Sequence, residues 1–400
     1  MQVTQHEKEM AMAPILRQAY RPMFLLGAIF SALAILLWGL VLIGAIQLPV
    51  YGNVLFWHSH EMLYGFVVAI VLGFLLTAVQ NWTGMRATHG PTLLILALLW
   101  SAGRLLMLFG QGLPWWLVAA VDVALLPVAA ILFARLVLAV NQTRNLFFIP
   151  ILLLLAVSSG LMHVGYAFNQ YEWQTIGAYN GVFLVTLLMA IIGGRVMPMF
   201  TANGTMTKKV MPIAWLEKTA LGLLWVLFAV HFFNLTLYIP DVWLGALFAL
   251  TALAHTLRVL RWKTWITFKV PLLWSIHLAY WFIPLGLALL AAHYWGVEIT
   301  RSTAMHALTA GAMGNMILAM MARVSLGHSG RPLKPKPIMS VAFALMFISA
   351  LMRVVGVSLF PQWTTDWILI STLAWTFALV IFIAIYLKVF LTPRADGNPG

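Results

Sequence analysis

What most constrains this chain is its rhythm of apolar runs. Stretches of about 20 apolar residues recur from one end to the other, and each can cross a hydrocarbon core as a helix. With 63% apolar and only 8% charged residues in 400, too little polar surface remains to coat a soluble globule built from so many such helices. The alternating pattern of a membrane barrel is absent. The expected fold is an all-α membrane protein of about twelve spans, at roughly 21–47, 58–82, 91–111, 114–140, 147–168, 174–199, 212–235, 240–262, 270–293, 302–325, 336–360 and 364–391. Every link is short, so 21–391 is expected to form one polytopic domain, between an N-terminal segment 1–20 and a tail 392–400. The N-terminal segment lacks the apolar centre of a cleavable signal, and the first span is expected to act as an uncleaved anchor.

The net charge of +13 would invite nucleic acid in a soluble protein. Its placement argues otherwise. Arg17, Arg86, Arg144, Lys208, Lys209, Arg261, Lys263, Lys269, Arg331, Lys334, Lys336, Lys388 and Arg394 lie before the first span, in the even-numbered links or after the last span. The odd-numbered links hold Glu172, Asp241, Glu298 and Asp366, with Arg301 the basic exception. The positive-inside rule puts both termini in the cytoplasm, with the bases facing anionic lipid. No nucleic-acid partner is expected. The chain has no cysteine, which excludes disulfides and thiolate metal sites. A metal must use His, Met, Asp, Glu or Tyr, and eleven histidines and 21 methionines are present.

A weak repeat runs through the spans. His60 to Gly84, Asn180 to Gly204 and His306 to Gly330 are each 24 residues apart, in the second, sixth and tenth spans. Arg104 and Arg353 take similar depths in the third and eleventh. This suggests three pseudo-symmetric four-helix units, with His60 and His306 equivalent and Asn180 the departure.

Ionisable groups inside a membrane are costly and usually serve a function. The densest group is Trp57-His58-Ser59-His60-Glu61-Met62. At 100° per residue, His58 and Glu61 share a face, while His60 points elsewhere over Tyr64. The plainer reading is an aromatic and histidine belt at the water boundary. His306 lies at a depth comparable to His60, and two histidines from two helices suit bis-His ligation of haem or a shared copper. A histidine simply bonded to a carbonyl is the alternative at His306. His277, His328 and His255 lie toward the opposite ends of their spans, as a candidate inner metal or proton site. His163, His231 and His293 are candidates without a motif, and His6 and His89 are expected to be solvated. Arg104 and Asp122 come out at one depth as a structural ion pair. Arg353 has no acidic partner in its own span and suits a haem propionate. In Gly193-Gly194-Arg195-Val196-Met197-Pro198 the glycines allow close packing, and the proline is expected to break the helix.

Together, Arg21-Pro22-Met23-Phe24, Trp57 to Met62 with Gly65, Asn81-Trp82-Thr83-Gly84, Gly103-Arg104-Leu105, Gly193 to Pro198, Pro271-Leu272-Leu273-Trp274 with His277 and Tyr280, His306-Ala307-Leu308-Thr309, and Arg323 to Arg331 resemble the NnrS family. That is a family of bacterial haem- and copper-containing inner-membrane proteins of nitric oxide metabolism. The resemblance implies a role in nitric oxide response or detoxification. It implies haem, expected to be of b type, and copper, with His58, His60, His277, His306 and His328 as the metal-binding set. His60 and His306 are the expected haem ligands, Arg104 and Arg353 further cofactor contacts, and Glu61 a candidate for proton transfer. Partners are then nitric oxide or a related small molecule and the lipid bilayer, with an electron donor if turnover is reductive. The competing reading is a twelve-helix transporter of a metal or haem-related compound. Its sites usually lie at the midplane, whereas these histidines gather toward the two faces.

Overall fold

A computed structural model describes residues 10–398. His6 falls outside them. Among the described residues there is no strand, and twelve helices are long and apolar enough to cross a membrane. They are α1 Tyr20–Leu42, α2 Val54–Thr83, α3 Gly90–Phe109, α4 Trp115–Ala139, α5 Thr143–Ala167, α6 Tyr171–Thr205, α7 Ala214–Phe232, α8 Asp241–Ile266, α9 Pro271–Tyr294, α10 Arg301–His328, α11 Ile338–Leu359 and α12 Pro361–Leu391. The chain is a multi-pass membrane protein.

Two boundaries differ from expectation by five residues or more. α1 stops at Leu42 because Gly44 turns the chain with φ +73°. α6 runs through Pro198 to Thr205 rather than breaking there. A proline costs one backbone bond, and within a long apolar helix that loss is tolerated.

By internal contact the chain divides into two compact units. One holds the chain through Gly181 with Met321–Leu333 and the residues from Leu379; the other holds Val182–Met320 and Lys334–Ala378. In the first, Arg21 is fully buried and donates from Nη1 to the carbonyls of Val389, Phe390 and Thr392 at 3.2, 2.9 and 2.7 Å. A guanidinium there satisfies carbonyls that the end of α12 leaves without intrahelical partners.

The second unit holds its own charged cluster. Buried Arg258 on α8 donates to both carboxylate oxygens of Glu217 on α7, at 2.9 and 2.5 Å. It also donates to the Ala190 carbonyl and the Tyr280 hydroxyl, both at 2.7 Å. The glycine pair of the Gly193–Pro198 stretch makes room for this. A Cβ on Gly193 would meet the Tyr280 ring at 3.2 Å, and one on Gly194 would overlap the Arg258 guanidinium.

Local geometry bears on the repeat. α2 is α-helical from Val54 to His60 and then π-helical from Glu61 to Val67. α10 is α-helical from Arg301 to His306 and then π-helical from Ala307 to Gly314. Asn53 and Thr300 cap the two starts through their side chains. Gly84 and Gly330 close the two intervals with φ +71° and +70°. His60 and His306 thus hold the same place before a π segment. The middle interval departs further than Asn180 alone suggests, since Gly204 lies inside α6.

Candidate metal centre

π segments widen a helix by one residue per turn and recur at functional sites. In α2 the π segment begins at Glu61, directly after His60, and these two consecutive side chains meet, with His60 Nδ1 3.0 Å from Glu61 Oε1. The expected face shared by His58 and Glu61 does not form. His58 instead stacks on Trp38 of α1, ring centroids 4.3 Å apart. Within the π segment the Gly65 carbonyl also accepts from Trp100 Nε1 at 2.9 Å.

Around His60 the first unit gathers a buried polar centre from four spans. Asp122 on α4 directs Oδ2 toward three groups: Ser159 Oγ, which donates at 3.1 Å, and the Nε2 atoms of His60 and His163, both at 3.2 Å; His60 Nε2 also lies 3.1 Å from Ser159 Oγ. Asp122 Oδ1 pairs with Arg104 Nη2, and Arg104 Nη1 bonds Glu61 Oε1 at 2.6 Å. The Arg104–Asp122 pair expected from depth is present, and Glu61 extends it. Two glycines of the α2 and α3 motifs make this approach fit. A Cβ on Gly65 would stand 2.5 Å from Arg104 Nη1, and one on Gly103 would stand 3.3 Å from Asp122 Oδ1. Pro127 inside α4 cannot donate to the carbonyl four residues back, which frees the backbone one residue beyond Asp122.

His60, Asp122 and His163 are buried, and one ligand atom from each lies within 4.8 Å of the others. Donors bound to one ion at about 2.0–2.2 Å stand roughly 3.0–3.4 Å apart, and the two His–Asp separations match that. The outer shell fits as well, because ligating histidines usually anchor their second nitrogen. His60 Nδ1 faces Glu61, and His163 Nδ1 faces the Tyr51 hydroxyl at 3.4 Å. Burial, Tyr166 and Asp122 raise the pKa of the Tyr51 phenol, which lies between α1 and α2, so it stays a neutral hydrogen-bonding group. A carboxylate only accepts, so His60 Nδ1 brings a proton to Glu61, and in the neutral ring this leaves Nε2, 3.1 Å from Ser159 Oγ and 3.2 Å from Asp122 Oδ2, as the lone-pair nitrogen. The residues present therefore fit a metal ion. A porphyrin is another matter. The rings of Phe56, Tyr64 and His163 stand 5.7, 5.2 and 4.9 Å from that of His60, so a macrocycle on His60 needs them to move.

The other expected residues lie elsewhere. His306 is in the second unit, half-buried, with Nδ1 2.7 Å from the Ser302 carbonyl. Arg353, for which no acidic partner was expected, donates from Nη2 to Ser302 Oγ at 3.1 Å. His277 is buried with both nitrogens on threonine hydroxyls, Thr201 at 2.8 Å and Thr264 at 3.2 Å. His255 faces Tyr280 and the Ala220 carbonyl. His328 belongs to the first unit, its ring 5.9 Å from Tyr20 and its carbonyl accepting from Arg394. His89 is half-buried, with Nδ1 2.6 Å from the Ala87 carbonyl.

Sequence reasoning placed His60, Glu61 and Arg104 at a site and treated Asp122 only as a structural partner. It had no motif for His163, and Ser159 and Tyr51 drew no notice. One signal was available: Ser159 and His163 are four apart on one helical face of α5.

A family model described as NnrS protein matches residues 14–394. No curated protein matches the chain.

Proposed function

The chain belongs to the NnrS family and is a nitric-oxide-related membrane protein, and from that premise we propose that it binds nitric oxide at a metal held by His60, Asp122 and His163. The observation that carries this reading is the buried His–Asp–His group whose second ring nitrogens face Glu61 and Tyr51. Two imidazoles and a carboxylate suit iron or copper, and such a metal supplies the redox partner that nitric oxide binds. Phe56 and Tyr64 exclude water from His60. Arg104 balances the two carboxylates. Glu61 orients His60 through Oε1, while buried Oε2 has no hydrogen-bond partner among the described residues and is the atom proposed to hold a proton. An infrared N–O stretch on purified protein under nitric oxide is expected in the native chain and in His231→Ala, and lost in His163→Ala. An identical stretch in His163→Ala would sink the assignment.

A second reading keeps the haem, as a b-type group on His306. Its support is the Nδ1 contact with the Ser302 carbonyl, which makes Nε2 the lone-pair nitrogen, and the location of His306 before a π segment. Arg353, bonded to the same serine, is the proposed partner of a propionate. A Soret band lost in His306→Ala, with a shifted redox potential in Arg353→Leu, is the expected result. Absence of a Soret band in the native protein removes this reading.

Both termini are proposed to face the cytoplasm of a bacterial inner membrane, on the placement of the bases. A fluorescent protein fused after the C-terminus should glow, and alkaline phosphatase fused there should be inactive; the reverse pair would invert the topology.

A further inference from the structure

The second unit carries a basic groove that the metal reading does not use. It is shallow and open, of about 500 Å³, and lies between the α6–α7 link and the end of α8. Lys208, Lys209, Arg261 and Lys263 line it together with Trp265, and among the described residues no acidic one does. Two features distinguish this lining. Arg261 Nη2 donates to the Met211 carbonyl at 3.0 Å, tying the two segments together. Lys263 takes a left-handed backbone, φ 57° and ψ 57°, a strained conformation for a residue with a side chain. Topogenic charge needs neither a groove nor strain, and Lys334 and Lys336, on the same side by the charge pattern, are outside the lining. Beside the cations stand exposed apolar groups, with Trp265 and Met211 at 60% and 68% exposure. Cations against an exposed indole match an amphiphile, since aromatic side chains favour the headgroup level.

We propose that this groove binds the phosphodiester headgroup of an anionic phospholipid. The four cations take the phosphate oxygens, and Trp265 lies against the glycerol and upper acyl carbons. Inorganic phosphate shares the charge chemistry but has nothing to offer the indole.

The test measures binding of cardiolipin and of phosphatidylglycerol to the full-length protein in detergent by native mass spectrometry, with phosphatidylcholine as the neutral comparison. Lys209→Gln with Lys263→Gln is expected to weaken the anionic lipids about 30-fold, at roughly fivefold per cation lost near a membrane surface. Arginine at both positions should keep binding within about twofold. Lys334→Gln with Lys336→Gln should leave it unchanged. An equal loss in that control pair would mean general attraction to basic loops and overturn the site. Displacement of the lipid by millimolar inorganic phosphate would also overturn it, by making the groove an ion site. Retained binding in the Lys209/Lys263 pair, with a native thermal transition, refutes it directly.

Discussion

Asp122→Ala protein is expected to lose about 3–5 kcal/mol of stability and all metal from the first unit. The carboxylate is buried and is the common partner of Arg104, Ser159, His60 and His163. Alanine leaves a buried guanidinium facing Glu61 alone, and Ser159 and the two histidines without the carboxylate they share. In a low-dielectric interior, breaking such a pair costs far more than never having built it. Asp122→Asn separates the two consequences. The amide keeps the volume and a carbonyl acceptor, so the fold should survive with a smaller loss, while the neutral group should no longer hold a metal. Denaturant titration in detergent reads the first effect and metal analysis the second. An Asp122→Ala protein as stable as the native one would show that the four-span polar centre is not formed as described.

The second large effect belongs to the other unit. Gly194→Ala is expected to cost about 3–5 kcal/mol, because the added methyl overlaps the Arg258 guanidinium and drives it from Glu217. Arg258 is 1% exposed, so the charge is displaced from a buried position. The interaction should be non-additive. In Gly194→Ala with Arg258→Met, the flexible thioether vacates the space and no buried cation remains. The double variant should therefore be more stable than Gly194→Ala alone. Simple addition of the two single losses would mean that Gly194 does not face Arg258.

Much of the fold was legible because apolar run length reports directly on a solvent that cannot hydrogen-bond to the backbone. The twelve spans follow from that. The site was legible only in part. His60, Glu61 and Arg104 stand out as costly polar residues in apolar runs, yet their mutual placement depends on side-chain directions and on a contact between two spans, which a single-helix wheel cannot show. The wheel therefore joined Glu61 to His58, while the structure joins it to His60. His163 was hidden for another reason. It is a lone histidine on an ordinary helix, and its role comes from Asp122 and Tyr51, 41 and 112 residues away in sequence. Pro198 erred the opposite way, since the rule for soluble helices overstates what a proline does inside a long membrane span.

Metal content of the purified full-length chain tests the central claim most directly. Elemental analysis should find iron or copper at about one ion per chain beyond any haem iron, retained in His255→Ala and His231→Ala and lost in both His163→Ala and Asp122→Asn. Undiminished metal in those last two variants, with the fold intact, would contradict a metal centre at His60, Asp122 and His163.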